Sequence, residues 1–207
     1  MSNTIHSIKA YSDVRHHMQP GDIIAFGGNS LFSKWAKLTT RSSVTHVAVV
    51  MKTQMLDEQS GRYFNQVIEA TDYNGKSGVM INRLSDRVAT YDGDMWWLPL
   101  STAARTTLNS NKSAFFDFLF QQNHKPYDIW QLFGSAVDAT DDVPLLKEMS
   151  YNSEDFTSWF CSELVAEAME VAGVVDNVNA SETTPIDVCR FRIYAEEDVQ
   201  LKGEEKH

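Results

Sequence analysis

The run of about 18 consecutive apolar residues that a membrane-spanning helix requires does not occur anywhere in this 207-residue chain. The amino-terminal "MSNTIHSIKAYSDVRHHMQPGD" has no apolar stretch behind its charges, so no signal peptide is read there. The expectation is a cytoplasmic protein with no stable membrane insertion. Positive charge is scarce: 18 Lys and Arg stand against 28 Asp and Glu, a formal net charge of −10, and the basic residues do not cluster. That balance excludes phosphate-backbone binding, and no nucleic-acid partner is expected. Only two cysteines are present, Cys161 and Cys189, too few for a disulfide framework, and both are read as free thiols. There is no Cys-x-x-Cys pair and no His-Glu-x-x-His run, and the glycines at Gly27 and Gly28 are not followed by a phosphate-loop pattern. No metal and no cofactor are expected.

What is present suits a packed core. With 43% hydrophobic residues, the sequence reads as a single domain over residues 1–207, its core at about 20–195. Short β-rich runs come first: Gly21–Phe26, Val44–Met51, Tyr63–Thr71, Gly78–Leu84 and Met95–Leu100, separated by Gly, Asp and Asn. From Asn111 the period becomes helical, with Phe115, Phe116, Leu119 and Phe120 on one face and a second apolar face from Tyr127 to Val137. Residues 138–155 are polar and acidic and read as a loop. Strands followed by helices give an α+β domain, an antiparallel sheet or small barrel packed against helices.

The stretch "WFCSELVAEAMEVAG" is an amphipathic helix in which Cys161, Leu164, Val165, Ala168, Met169 and Ala172 share one face and Glu163, Glu167 and Glu170 the other. A cap at Thr157 or Ser158 and a stop at Gly173 would put Cys161 in the first turn, where unpaired N–H groups and the helix dipole stabilise a thiolate and could meet an oxyanion. A buried cysteine on an apolar face more often simply packs.

A thiol nucleophile needs a base, and the base an orienting partner. Of six histidines, His46 alone opens an apolar strand, "THVAVV". An antiparallel hairpin turning near Asp57–Gly61 places residues near 70–72 opposite it. Glu69 and Asp72 are the acids within reach, on opposite strand faces, and Glu69, inside "VIEAT", is favoured. The loop from Phe26 to Ser43 precedes His46 and is expected to border the cleft, with Gly27 and Gly28 allowing close backbone approach to substrate.

These motifs resemble a known family. "FCSELV" is similar to the Asp-Cys-Ser-Gly-Leu-Val motif of NlpC-type papain-like amidases, and "THVAVV" to their histidine strand. Here the histidine precedes the cysteine, an order that resembles the circularly permuted branch of YiiX-like and YaeF-like proteins and, more remotely, lecithin:retinol acyltransferase relatives. "QPGDIIAF", "RSSVTHVAVV", "VIEAT", "PYDIWQ" and "FCSELV" follow in the order that YiiX-like chains show, over roughly Gly21 to Val175. The resemblance implies a permuted papain-like fold with Cys161 as nucleophile, His46 as base and Glu69 as orienting residue. It also implies that Tyr127 lines the substrate site, while Ser43, which ends the loop before His46, is expected there from its position. The activity implied is hydrolysis of an amide in a peptide or cell-wall-type substrate through an acyl-enzyme. Lipid ester hydrolysis or acyl transfer is the variant chemistry, and a non-catalytic binding module the alternative. Phe160 and Glu163 depart from the family pattern, which has aspartate and glycine at those places.

Overall fold

The computed structural model describes residues 9–28, 44–126 and 153–203, with only the backbone course given for residues 153–159. In chain order the elements are α1 (Tyr11–Val14), β1 (Ile23–Gly28), β2 (His46–Asp57), β3 (Arg62–Tyr73), β4 (Lys76–Arg83), α2 (Leu84–Thr90), β5 (Gly93–Leu98), α3 (Thr102–Ser110), α4 (Lys112–Gln122), α5 (Ser153–Val171), α6 (Pro185–Cys189) and β6 (Val199–Lys202). The second apolar face, Tyr127 to Val137, lies outside the described residues.

The described strands form one open antiparallel sheet in the order β4-β3-β2-β1-β5-β6. It is a sheet and not a barrel. The first four strands run as neighbours: β2, β3 and β4 follow one another through short turns, β1 pairs with β2, and each strand has one alternating set of apolar residues for either face. Then α2 carries the chain across, and β5 pairs with the free edge of β1. The domain is therefore α+β.

Both faces are covered, which explains the near-continuous apolar runs in β1 and β2. Ile23, Ala25, Val47, Val49, Met51, Ile68 and Ala70 point to the face packed by α3, α4, α5 and α6. Ile24, Phe26, Ala48, Val50, Val67, Met95 and Trp97 point to the other, under Val14 of α1 and Leu84 of α2. Within β2 and β3 the inner pairs are Val49 with Ile68 and Val50 with Val67, and the register slips between Val50 and Lys52 and again before Met55. Asn65 holds the slip by accepting from the Gln54 N–H (3.0 Å) and donating to the Arg15 carbonyl (2.8 Å).

Where β1 meets β5, Gly93 pairs with Gly28 at φ 155°. A Cβ there would overlap the Gly27 carbonyl. Gly93→Ala is accordingly expected to lower the unfolding free energy by about 2 kcal/mol, read from urea denaturation. An unchanged midpoint would show that the two strands can part at no cost.

Candidate catalytic site

The site is built where β2 begins. His46 is the first residue of β2, and Glu69 lies on β3 near the strand's end. Counting back from the Val49–Ile68 pair puts His46 opposite Thr71, as the hairpin argument expects. Strand alternation turns His46 and Glu69 to the same face, and His46 Nε2 lies 2.7 Å from Glu69 Oε2. Asp72 is engaged elsewhere, accepting from Ser77 Oγ.

Two groups that the sequence reading did not single out complete the surroundings of Glu69. Asn82 Nδ2 on β4 donates to Oε1 at 2.9 Å. Arg87 on α2 donates from Nη2 to Oε2 at 3.1 Å, and its Nε lies 2.8 Å from Oε1. Glu69 is 0% exposed and Arg87 6%. A signal for Arg87 did exist: in "LSDRVAT", Leu84, Arg87 and Val88 fall at i, i+3 and i+4, which puts a cation on the apolar stripe of a helix.

Burial alone would push the Glu69 carboxyl up. The hydrogen bond and charge of His46, the Arg87 charge and the Asn82 bond together outweigh burial and hold it below its ordinary value. An ionised Glu69 can only accept, so the hydrogen it shares with Nε2 belongs to the imidazole. In the neutral ring Nδ1 is then the basic nitrogen, whereas in the imidazolium, the form whose charge helps to hold Glu69 down, both nitrogens carry hydrogen. Nδ1 is buried and, among the described residues, has no hydrogen-bond partner.

Cys161 approaches from the other side of the sheet. It is fully buried among Val47, Val165 and Met169 on the helix-covered face, while the His46 ring sits 5.0 Å from Phe26 on the opposite one. The two meet at the end of β2, where the Val47 amide, next to His46, is bonded to the Cys161 thiol, which also feels the Glu69 charge. The structure brings Cys161 beside the His46 backbone without joining Sγ to Nδ1.

The helix start differs from expectation. α5 begins at Ser153, so residues 153–155 belong to it rather than to a loop, and Thr157, Ser158 and Cys161 are interior. An interior N–H is committed to the carbonyl four residues back, so the Cys161 amide is no oxyanion donor, and the dipole stabilisation expected of a first turn is lost. Burial pushes the Cys161 thiol well above its ordinary range. The Val47 amide lowers it by less, and the Glu69 charge adds to the rise. The resting group is a neutral thiol. Gly173, at φ 66°, does end the helix region as expected, its N–H donating to the Glu170 carbonyl at 2.8 Å.

Of the residues expected to meet substrate, Gly27 is buried inside β1 and paired with Asp94, and Gly28 closes that strand opposite Gly93. Tyr127 and Ser43 lie outside the described residues. Cys189 ends α6 and is also free, its thiol pushed up to about 12 by burial. A cleft of 140 Å³ lined by Arg15, His16, Gln54, Tyr63 and Asn65 lies toward the far end of the β2–β3 hairpin and shares no residue with this site. Among the described residues, no group of three or more His, Cys, Asp or Glu is placed to hold a metal ion, and no helix is long and apolar enough to cross a membrane.

Comparison with protein-family models gives no match, and comparison with curated proteins gives none either. The functional reading rests on the chemistry of the site.

Proposed function

We propose that the chain is a single-domain thiol hydrolase of the circularly permuted papain-like, NlpC-type kind, cleaving an amide through Cys161, His46 and Glu69. The observation that carries this reading is the state of His46. One ring nitrogen is tied to an ionised carboxylate, and the other is buried and without a hydrogen-bond partner among the described residues, next to the strand end whose Val47 amide meets Cys161. A purely structural histidine would satisfy both nitrogens.

In the proposed reaction Cys161 gives its thiol proton to His46 Nδ1 as the bond from Sγ to the carbonyl carbon forms. The amine then leaves with that proton as the C–N bond breaks. Water attacks the thioester, loses a proton to Nδ1, and the acid departs as the thiol is restored. Because the resting thiol is neutral, the mechanism is general-base assisted rather than one of a preformed thiolate–imidazolium pair. Since the ring and the sulfur lie on opposite faces of β2, the reaction requires the His46 side chain to turn toward the helix-covered face as substrate is attacked. Candidate substrates are small peptides, cell-wall-type amides or lipid-type esters, with no metal or cofactor called for.

The complete burial of Cys161 favours a second reading, a non-catalytic binding module that keeps the fold. The two part in one experiment. In a Cys189→Ser background, the rate of iodoacetamide alkylation of Cys161 at pH 7 is expected to fall about a hundredfold in His46→Ala. A thiol that is inert in both proteins, or equally reactive in both, makes the binding module the better account.

A further inference from the structure

Arg87 is not one of the three groups that the chemistry requires, yet it is built into the same network. Its side chain is 7% exposed, so it has no surface to offer a substrate. It is held over three rings, 5.2 Å from the centroid of Phe26, 4.6 Å from Tyr73 and 5.9 Å from Tyr91. Its polar atoms reach the Glu69 carboxylate that binds His46.

Among the described residues, the charged and titratable groups around His46 come from several elements. β3 contributes Glu69 and Tyr73, α2 contributes Arg87, and α5 contributes the neutral Cys161 thiol; Asn82 of β4 is uncharged, and Tyr91 follows α2. Glu69 and Arg87 therefore balance each other in a site where both are buried. Take Arg87 away, and the buried carboxylate has two routes to neutrality. It can draw a proton onto the imidazole, which then carries hydrogen on both nitrogens. Alternatively it can take the proton itself and donate to Nε2, so that the hydrogen of the ring moves to Nδ1. Both routes end with Nδ1 protonated and unable to accept a proton from sulfur.

We propose that Arg87 is a positioning residue that fixes the proton of His46. By neutralising Glu69 it keeps a single imidazole hydrogen on Nε2 and leaves the Nδ1 lone pair for Cys161. The catalytic consequence rests on the thiol-hydrolase reading; the placement of the proton does not.

Nitrogen-15 NMR of histidine-labelled protein at pH 7, with His46 assigned by its loss in His46→Gln, reads that placement directly. Native protein is expected to show Nδ1 without hydrogen, and Arg87→Met to show Nδ1 protonated. Glu69→Gln with Arg87→Met removes both charges and leaves an amide oxygen to accept from Nε2, so bare Nδ1 is expected to return. Arg87→Lys keeps the charge and is expected to keep Nδ1 bare. The inference is overturned if Arg87→Met leaves Nδ1 bare, if the double variant stays protonated, or if Arg87→Lys becomes protonated. The last arm stands alone should Arg87→Met not fold. Once His46→Ala has been shown to slow alkylation of Cys161, Arg87→Met is expected to slow it about tenfold or more, and an unchanged rate also overturns the inference. Alkylation indifferent to His46→Ala would sink the hydrolase reading while leaving the NMR result, and the hold of Arg87 on the proton, intact.

Discussion

Glu69→Ala is expected to lower the unfolding free energy by about 3–5 kcal/mol in urea denaturation at pH 7. The magnitude follows from what the carboxylate leaves behind: a buried guanidinium, an Asn82 amide and an imidazole N–H, each of which uses Glu69 as an acceptor. An exposed ion pair would cost about 1 kcal/mol or less, so the size of the loss separates a sealed network from a surface contact. Glu69→Gln keeps shape and one acceptor oxygen and should lose less, and pairing it with Arg87→Met should recover part of what either costs alone. Strictly additive losses would mean that the two charges do not sense each other. The same carboxylate sets an acid limb. Its folded-state pKa is depressed below the ordinary 4.5, so its stabilisation is fully present above the unfolded value and is lost as pH falls through the folded one. The native protein should therefore lose more stability than Glu69→Gln on going from pH 5 to lower values. Asp22 works the other way, since burial pushes its carboxyl up beyond what Arg105 and its N–H donors pull down. Its ionised form therefore weighs against folding as pH rises, and that contribution cancels in the difference between the two proteins.

The parts of this site that are legible in the sequence are those governed by local period. Alternation in "THVAVV" and "VIEAT" places the strands, the short turn sets their register, and together they bring Glu69 to His46 and set Asp72 aside. The helix of Cys161 is equally plain from its apolar spacing, as is its stop at Gly173. Other features were hidden, three of them for reasons that can be named. The start of α5 at Ser153 was hidden because "SED" before an aromatic run reads as well for a polar loop as for a first turn. The strand β6 was hidden because four residues, "VQLK", carry too few alternations to stand out, and its pairing with β5 depends on a partner about a hundred residues earlier. The placement of Cys161 and the His46 ring on opposite faces was hidden because it follows from which face α5 covers. Period predicts that a face is apolar and says nothing of which neighbour covers it.

Asp22→Ala is expected to cost a similar 3–5 kcal/mol, with a loss of cooperativity in the urea transition if the sheet's halves come apart. The residue lies between the turn at Pro20 and β1, and both of its oxygens are committed. Oδ2 accepts from the Gln19 N–H at 2.8 Å and from Trp97 Nε1 at 2.9 Å, while Oδ1 accepts from the Leu100 N–H at 3.1 Å and from Arg105. These donors come from the chain before β1, from β5, from the residues after β5 and from α3. One side chain thus ties the entrance of the sheet to the strand that crosses over to its free edge. Asparagine is no substitute, because its NH₂ would face N–H donors whichever way it is turned, so Asp22→Asn should lose most of what Asp22→Ala loses. Were asparagine tolerated within about 1 kcal/mol, the carboxylate would be dispensable and β5 would be held by its ladder with β1 alone. The distinction bears on the end of the molecule that holds His46. β5 returns to β1 at Gly27 and Gly28, just before the chain that leads to His46, so a β5 held only by its ladder would leave that end of the sheet less firmly set. Loosening at Asp22 is then expected to reach Cys161 alkylation as well as stability, through the strand His46 opens.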